Sequence, residues 1–287
     1  MTFNNEYNTI CKPVEEDINS VREKISKLYE EVTEIDTDIK EFLTSPAKHI
    51  RAAMSFLYLK ALGIEINENQ IAYQAIIELI HNASLIHDDV IDKAEIRRLK
   101  PSLNQKEGNH IAVIGGDLVL STALKEIAKL NNPKILDDLA DTFSQMCYGE
   151  IKQYSNRYKI PTLEEYTEKT HLKTGVLFEK ALTGALTLAG YNHKENAETF
   201  AKYFGIAFQM NNDIKNILEN SQNNDLQSGV YTAAVIFSGD PDTPLSGIEK
   251  AKSLLNNYVS NAKIVIEQLD ESLYKNALLK LSELIKI

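Results

Sequence analysis

Between Ile76 and Ser102 the chain reads IIELIHNASLIHDDVIDKAEIRRLKPS, and several residues able to do chemistry sit there at helical spacing. Glu78, His81, Leu85, Asp88 and Asp92 recur at three- and four-residue steps, which puts them on one face of a helix. Asp88 and Asp92 stand one turn apart, with Asp89 beside them. Two carboxylates projecting from one face are hard oxygen donors suited to Mg2+, an ion that keeps coordination positions for phosphate oxygens. Arg97 and Arg98 follow closely, and guanidinium forks match phosphate oxygens. Metal-binding acid beside phosphate-binding base, on an apolar helix, points to a diphosphate at the mouth of an apolar pocket. The competing reading is a solvated helix end, the commoner fate of exposed carboxylates.

A second set of cations lies upstream in SPAKHIRAA. Lys48 and Arg51 are one turn apart and would project together near a helix N-terminus, where the backbone already favours anions. Spacing alone is served as well by two surface cations. His81 is a lone histidine on an apolar face, more often a core residue, but its two-turn offset from Asp88 supports a role at the site. Lys173 in HLKTGVLFEKA is bracketed by apolar residues, which favours a directed position over a solvated one.

Long helices must carry these groups. Residues 14–43 show helix-period hydrophobics (Ile18, Val21, Ile25, Leu28, Val32, Ile35, Ile39), an amphipathic helix or helix pair. Pro46 breaks it, and a second helix over 47–62 ends at Gly63. The acidic helix runs from Asn67 to Asp92, and a loop from Lys93 to Gly108 holds the arginines. Gly115 and Gly116 then let the next helix approach its neighbour closely. Asn131-Asn132-Pro133 makes a turn, and the following helix carries Glu150 and Gln153 towards Tyr158. Thr162 and Glu165 form a capping-box pattern that opens the helix of Lys173. Another helix spans 197–220, and amphipathic helices over 245–269 and 272–287 complete the chain.

Composition agrees. With 43% hydrophobic residues in 287, the chain can bury a substantial core, and only 12 Gly and 7 Pro leave few turns. No internal repeat or strand-like alternation is present, so we expect an all-α single domain over 1–287. The net charge of -10 excludes non-specific nucleic-acid binding. Cys11 and Cys147 fit neither a metal spacing nor a disulfide framework and read as packing residues in a reducing compartment. The N-terminus shows no signal peptide, and no apolar run approaches the roughly 20 residues of a membrane helix. The expected location is cytoplasmic, with no membrane span.

HDDVID followed by RRLKPS closely resembles the first aspartate-rich motif and trailing arginine pair of the trans-isoprenyl diphosphate synthases, the polyprenyl synthetase family. Further similarities fall in the correct order from Lys48 to Ile236. SPAKHIRAA is similar to the GGKRLRP segment that grips isopentenyl diphosphate; Lys48 and Arg51 are kept, Pro46-Ala47 replace the glycine pair, and His49 replaces the first arginine. IGGDLVLSTAL is similar to the GDxLLA segment. Lys173-Thr174 resembles the KT pair whose lysine reaches the allylic diphosphate. Phe208-Gln209 match the opening of FQxxDDxxD, but the cluster reads Asn212, Asp213, Ile214, Lys215, Asn216, one carboxylate where the family has three. DLQSGVYTAAVIF resembles DLxxGxxTxPxI, with Val230 where a diphosphate-binding lysine is usual.

The resemblance implies a helical bundle of the isoprenoid synthase type around a deep central cavity, assembled as a homodimer. It implies Mg2+ as cofactor, with Asp88, Asp89 and Asp92 on one side and Asp213 with the amide oxygen of Asn212 on the other. Isopentenyl diphosphate and allylic prenyl diphosphates would be the substrates. Asp88, Asp92, Arg97 and Lys173 would stabilise the leaving diphosphate; Lys48, Arg51, His81 and Arg98 would position the acceptor; Thr174 and Gln209 complete the substrate-binding set. Amide oxygens ligate Mg2+ more weakly than carboxylates, so Asn212 and Asn216 leave three readings open: a working trans-prenyltransferase, a weakly active or inactive subunit supporting a heteromeric partner, and a terpene cyclase or prenyltransferase using another acceptor. NDIKNILEN opens like the cyclases' second motif but has Asn216 and Asn220 at the later positions. An alkyl tail running down the helix from the acidic pair would pass Ser84 and Ala83, then Ile80. Both first residues are small, where shorter-chain family members carry aromatics, so products of about twenty or more carbons are expected, measured against the rise of the helix.

Overall fold

The computed structural model describes residues 3–29, 34–219 and 226–287, with side chains from 37 onward in the second stretch. Its helices are α1 (Phe3–Cys11), α2 (Glu15–Lys27), α3 (Glu34–Thr44), α4 (Ile50–Ala61), α5 (Glu68–Ile91), α6 (Leu103–Lys129), α7 (Pro133–Ser155), α8 (Leu163–Thr170), α9 (Val176–Leu188), α10 (Glu195–Leu218), α11 (Ala233–Ser238), α12 (Ile248–Glu267) and α13 (Leu273–Leu284). Val32, Asn220 and Asp225, the last opening the DLQSG segment, lie outside the described residues.

The acidic helix starts where its sequence says it should. Asn67 caps α5 by accepting from the Asn69 backbone at 2.8 Å, and Gln70 returns the bond to the Asn67 backbone at 3.1 Å. Beyond the cap, Tyr73, Ile76, Ile77, Leu79, Ile80, Ala83 and Ile86 are buried, each large apolar side chain contributing about 1.5–3 kcal/mol. Helix α4 is buried on nearly every face, as expected of a helix at the centre of a bundle. Helices α9 and α10 complete the interior, where Phe178 meets Phe204 and Phe208 with ring centroids 5.6 and 5.3 Å apart. Helix α6 packs on α5, α7 lies against α9 and the residues just before it, and α12 and α13 cover α10 and α4.

The glycine pair of α6 does what its size allows. Gly115 faces Leu103 and Ile39, and a Cβ on Gly116 would collide with the His87 ring of α5. The Asn-Asn-Pro turn also acts as expected. Asn131 is left-handed at φ 50°, the Asn132 side chain accepts from Ile135 N at 3.2 Å, and Pro133 opens α7.

Four features depart from the sequence reading. Helix α1 was not expected; buried Tyr7 anchors it by donating to the Lys48 carbonyl at 2.5 Å. The helix expected from residue 47 begins at Ile50, because His49 is left-handed (φ 50°, ψ 45°). The arginine loop holds a two-residue antiparallel pair, β1 (Ile96–Arg97) with β2 (Lys100–Pro101). Its turn places Arg98 and Leu99 at φ 53° and 64°, a geometry that usually calls for Asn or Gly. Cys147 is exposed, not packed. Among the described residues no helix is long and apolar enough to cross a membrane.

Candidate active site

A cavity of about 860 Å³ opens where the C-terminal end of α5, the N-terminal end of α4, α7 and the later turns of α10 converge. Its lining includes Glu78, His81, Asp88 and Asp92, the stripe set by the helical period, with Lys48, Arg51, Arg97, Arg98, Lys173, Thr174, Gln209, Asn212 and Asp213. Residues scattered over two thirds of the chain therefore face one space. Ser84 and Leu85 line it as well, opposite Phe143 and Met146 of α7, whereas Ala83 and Ile80 are buried without reaching it.

The neighbouring acids of HDDVID take different directions because successive helical residues diverge by about 100°. Asp88 and Asp92 point into the cavity. Asp89, 1% exposed, is held by Arg97 through Nε, 2.9 and 3.2 Å from its two oxygens, and through Nη2. Arg98 donates to Asn82 Oδ1 at 3.0 Å and to the Phe42 carbonyl at 3.2 Å. Both arginines thus have protein partners while still bordering the cavity.

On the acceptor side, Glu78 is buried against His49, whose Nδ1 lies 3.1 Å from Glu78 Oε2. Burial alone would raise the Glu78 carboxyl, but its contact with His49 and the Arg51 charge outweigh burial and hold the group below its ordinary value. Burial pulls Arg51 down to about 10, so it remains charged at neutral pH, and its guanidinium lies 4.5 Å from the Phe178 ring centre. Burial also lowers His81 well below its ordinary value, so its imidazole is neutral. Lys48, exposed, lies over the Phe3 ring at 3.9 Å. The left-handed His49 costs about 1 kcal/mol or more, and that turn lets it face inward to Glu78 between two cavity-lining cations.

The wall carrying Lys173 contains a turn that no propensity announces. Residues His171–Gly175 form a π-helical turn between α8 and α9, a deformation frequent at functional sites. Lys173 Nζ there pairs with Glu150 and lies 4.0 Å from Asp88 Oδ2. Two glycines make room for this turn. A Cβ on Gly149 would stand 2.7 Å from Lys173 N, and one on Gly205 2.9 Å from Gly175 Cα. Gly149→Ala should therefore displace the turn and cost about 1–3 kcal/mol, read as a lower urea midpoint; an unchanged midpoint would mean the contact yields freely.

Burial raises Asp88 to about 6 and also raises Asp92, with Lys173 opposing and Glu150 adding to the rise. Among the described residues no three His, Cys, Asp or Glu side chains form a ready metal cage. Asp88 and Asp92 nevertheless fit Mg2+, which commonly uses one or two carboxylates and completes its shell with water and phosphate oxygens. The opposite side fits less well. Asp213, 5% exposed, accepts from Tyr166 Oη at 2.7 Å and from Gln209 Nε2 at 2.8 Å, so both oxygens already have donors. Its neighbours Asn212 and Asn216 are neutral.

Sequence reasoning named Glu150 and Gln153 without a role and passed over Tyr166 and Lys169. The 166, 169, 173 spacing was the available signal, a helical stripe ending at the lysine already singled out.

Comparison with known proteins adds a family. The model of the polyprenyl synthetase family matches residues 32–271. The chain is 29% identical over 270 residues to the decaprenyl-diphosphate synthase of Dictyostelium discoideum, covering 83% of this chain and 59% of that protein. It is 32% identical over 206 residues to heptaprenyl diphosphate synthase component 2 of Bacillus subtilis, covering 68% and 59%. The chain therefore spans under two thirds of the length of these two relatives. Its fold matches the Caulobacter crescentus polyprenyl synthase complexed with calcium and isoprenyl diphosphate, with TM-score 0.89, 20% identity and 97% of each chain covered.

Proposed function

The chain belongs to the polyprenyl synthetase family, and on that premise we propose that it is a trans-prenyltransferase. It condenses isopentenyl diphosphate with an allylic diphosphate and gives a polyprenyl diphosphate. Of the three residues expected along the tail, Ser84 alone lines the cavity, so the path past Ala83 and Ile80 does not set the product length. The observation that carries this reading is the single cavity joining Asp88 and Asp92 to Lys173 on one side and to Lys48, Arg51 and Arg98 on the other.

Asp88 and Asp92 would hold Mg2+, which when bound supplies positive charge to the leaving diphosphate. Lys173 adds a fixed cation to the same group, and being tied to Glu150 it need not reorganise as charge develops. The C–O bond of the allylic substrate breaks, its electron pair leaving with the diphosphate. The alkene of the acceptor forms the new C–C bond, and the resulting cation loses a proton to the departed diphosphate. Lys48, Arg51 and Arg98 orient the acceptor diphosphate, and neutral His81 borders it. Ser84, Leu85, Phe143 and Met146 keep water from the cation. We further propose a homodimer in contact through the α6 face bearing exposed Val113, Ile114, Leu118 and Leu124; a monomer by light scattering would remove that element.

A condensation assay with radiolabelled isopentenyl diphosphate, Mg2+ and allylic diphosphates of graded length tests the reading. Elongation by the natural chain, lost in Asp88→Ala, is expected. A second reading, a weakly active subunit of a heteromeric synthase, is favoured by the engaged Asp213 and the neutral Asn212 and Asn216. An inert natural chain with an active Asn212→Asp/Asn216→Asp variant would select it. Silence from both would turn the search to a different acceptor.

A further inference from the structure

We propose that Lys169 takes the place of a metal ion on the α8 and α10 wall, so that this chain clamps diphosphate with divalent ions at the Asp88 and Asp92 side alone. The proposal rests on the prenyltransferase reading above.

A continuous chain of polar contacts runs around this wall. Lys173 pairs with Glu150, and Gln153 Nε2 donates to Glu150 Oε1 at 3.2 Å. Lys169 Nζ donates to Gln153 Oε1 at 3.4 Å and lies 5.2 Å from the centre of the Tyr166 ring. The Tyr166 hydroxyl donates to Asp213, Gln209 donates to the other oxygen of Asp213, and Thr174 Oγ1 donates to Gln209 Oε1 at 3.2 Å. Thr174 follows Lys173 in the chain, which closes the circuit. All its members except Tyr166 line the cavity, so these contacts orient two ammonium groups from one wall.

Charge decides what this wall can bind. Asp213 is its one carboxylate beside the Asn212 and Asn216 amides, and both its oxygens already take protein donors. A divalent ion here would gain one anionic ligand and meet the Lys169 charge close by. A diphosphate oxygen meets the opposite balance, since an ammonium attracts it and can donate to it. The α5 side is the reverse, with Asp88, Asp92 and Glu150 set against Lys173 and Arg157, whose Nη2 lies 3.6 Å from Asp92 Oδ1. A diphosphate lying between the two walls therefore finds metal-binding acid on one side and fixed base on the other.

Equilibrium dialysis with Mn2+ and inorganic diphosphate, counting both per chain, tests this without an activity readout. Lys169→Met should weaken diphosphate binding about tenfold or more, the scale of one lost charge-assisted contact, and leave the Mn2+ count unchanged. Lys169→Arg should retain binding. Adding Asn212→Asp and Asn216→Asp to Lys169→Met should raise the Mn2+ count and recover affinity. Unchanged diphosphate affinity in Lys169→Met, or a natural chain already binding as many Mn2+ ions as the Asp-restored variant, would overturn the proposal. If neither the natural chain nor the restored variant binds diphosphate with Mn2+, the prenyltransferase reading fails and takes this proposal with it.

Discussion

Asp88→Asn is expected to lower condensation activity by roughly a hundredfold or more while making the metal-free protein more stable at neutral pH. Both effects have one cause. Burial raises the Asp88 carboxyl to about 6, against an unfolded value of about 3.9. For a raised carboxyl the folded state prefers the protonated form. The group therefore adds no penalty below about pH 4, and stability is lost as pH rises towards and through 6. With the side chain 24% exposed, the full penalty above pH 6 is about 2 kcal/mol. Asparagine removes it, so the variant should gain stability at pH 7.5 and gain nothing near pH 4. Mg2+ with diphosphate should raise the melting temperature of the natural chain and leave that of Asp88→Asn nearly unmoved. Equal destabilisation at both pH values would show that the carboxylate serves the fold and not the site.

Arg97→Ala should cost about 3 kcal/mol of stability, the scale for removing one partner of a buried ion pair. The cost falls on Asp89. Its carboxylate is almost fully buried, and Arg97 holds it by a fork through Nε and Nη2. Without that fork the charge would be left in an apolar surrounding. Urea midpoints of Arg97→Ala, Asp89→Ala and the double variant should show strong coupling, the double costing much less than the sum. A purely diphosphate-binding Arg97 predicts otherwise: unchanged midpoints and a raised KM. The two outcomes separate an arginine that shapes the HDDVID turn from one that also grips substrate.

How the chain divides these duties was only partly legible in its sequence. The 3.6-residue period put Glu78, His81, Asp88 and Asp92 on one face, and all four line the cavity. Asn67, and Thr162 with Glu165, announced helix starts that the structure keeps. Gly115 and Gly116 announced a close helix crossing. These features depend on residues within one or two turns of each other, where backbone geometry fixes the outcome.

What lay beyond that range was decided by the tertiary structure. The helical period separates Asp88 from Asp89, but only the fold shows that Arg97 of the hairpin seals Asp89 in and leaves Asp88 to the cavity. Asp213 reads as the surviving ligand of a metal cluster until Tyr166, 47 positions away, is found bonded to it. Lys169 carried only its spacing from Lys173 as a signal, and Glu150 none that gave it a role, since a lysine and a glutamate on amphipathic helices are usually solvated. The π turn seated against Gly149 brings Lys173 to Glu150, and Gln153 joins Lys169 to the same wall. Local periodicity determined which side chains share a face. Long-range packing determined which faces meet, and with them which charges remain available to a ligand.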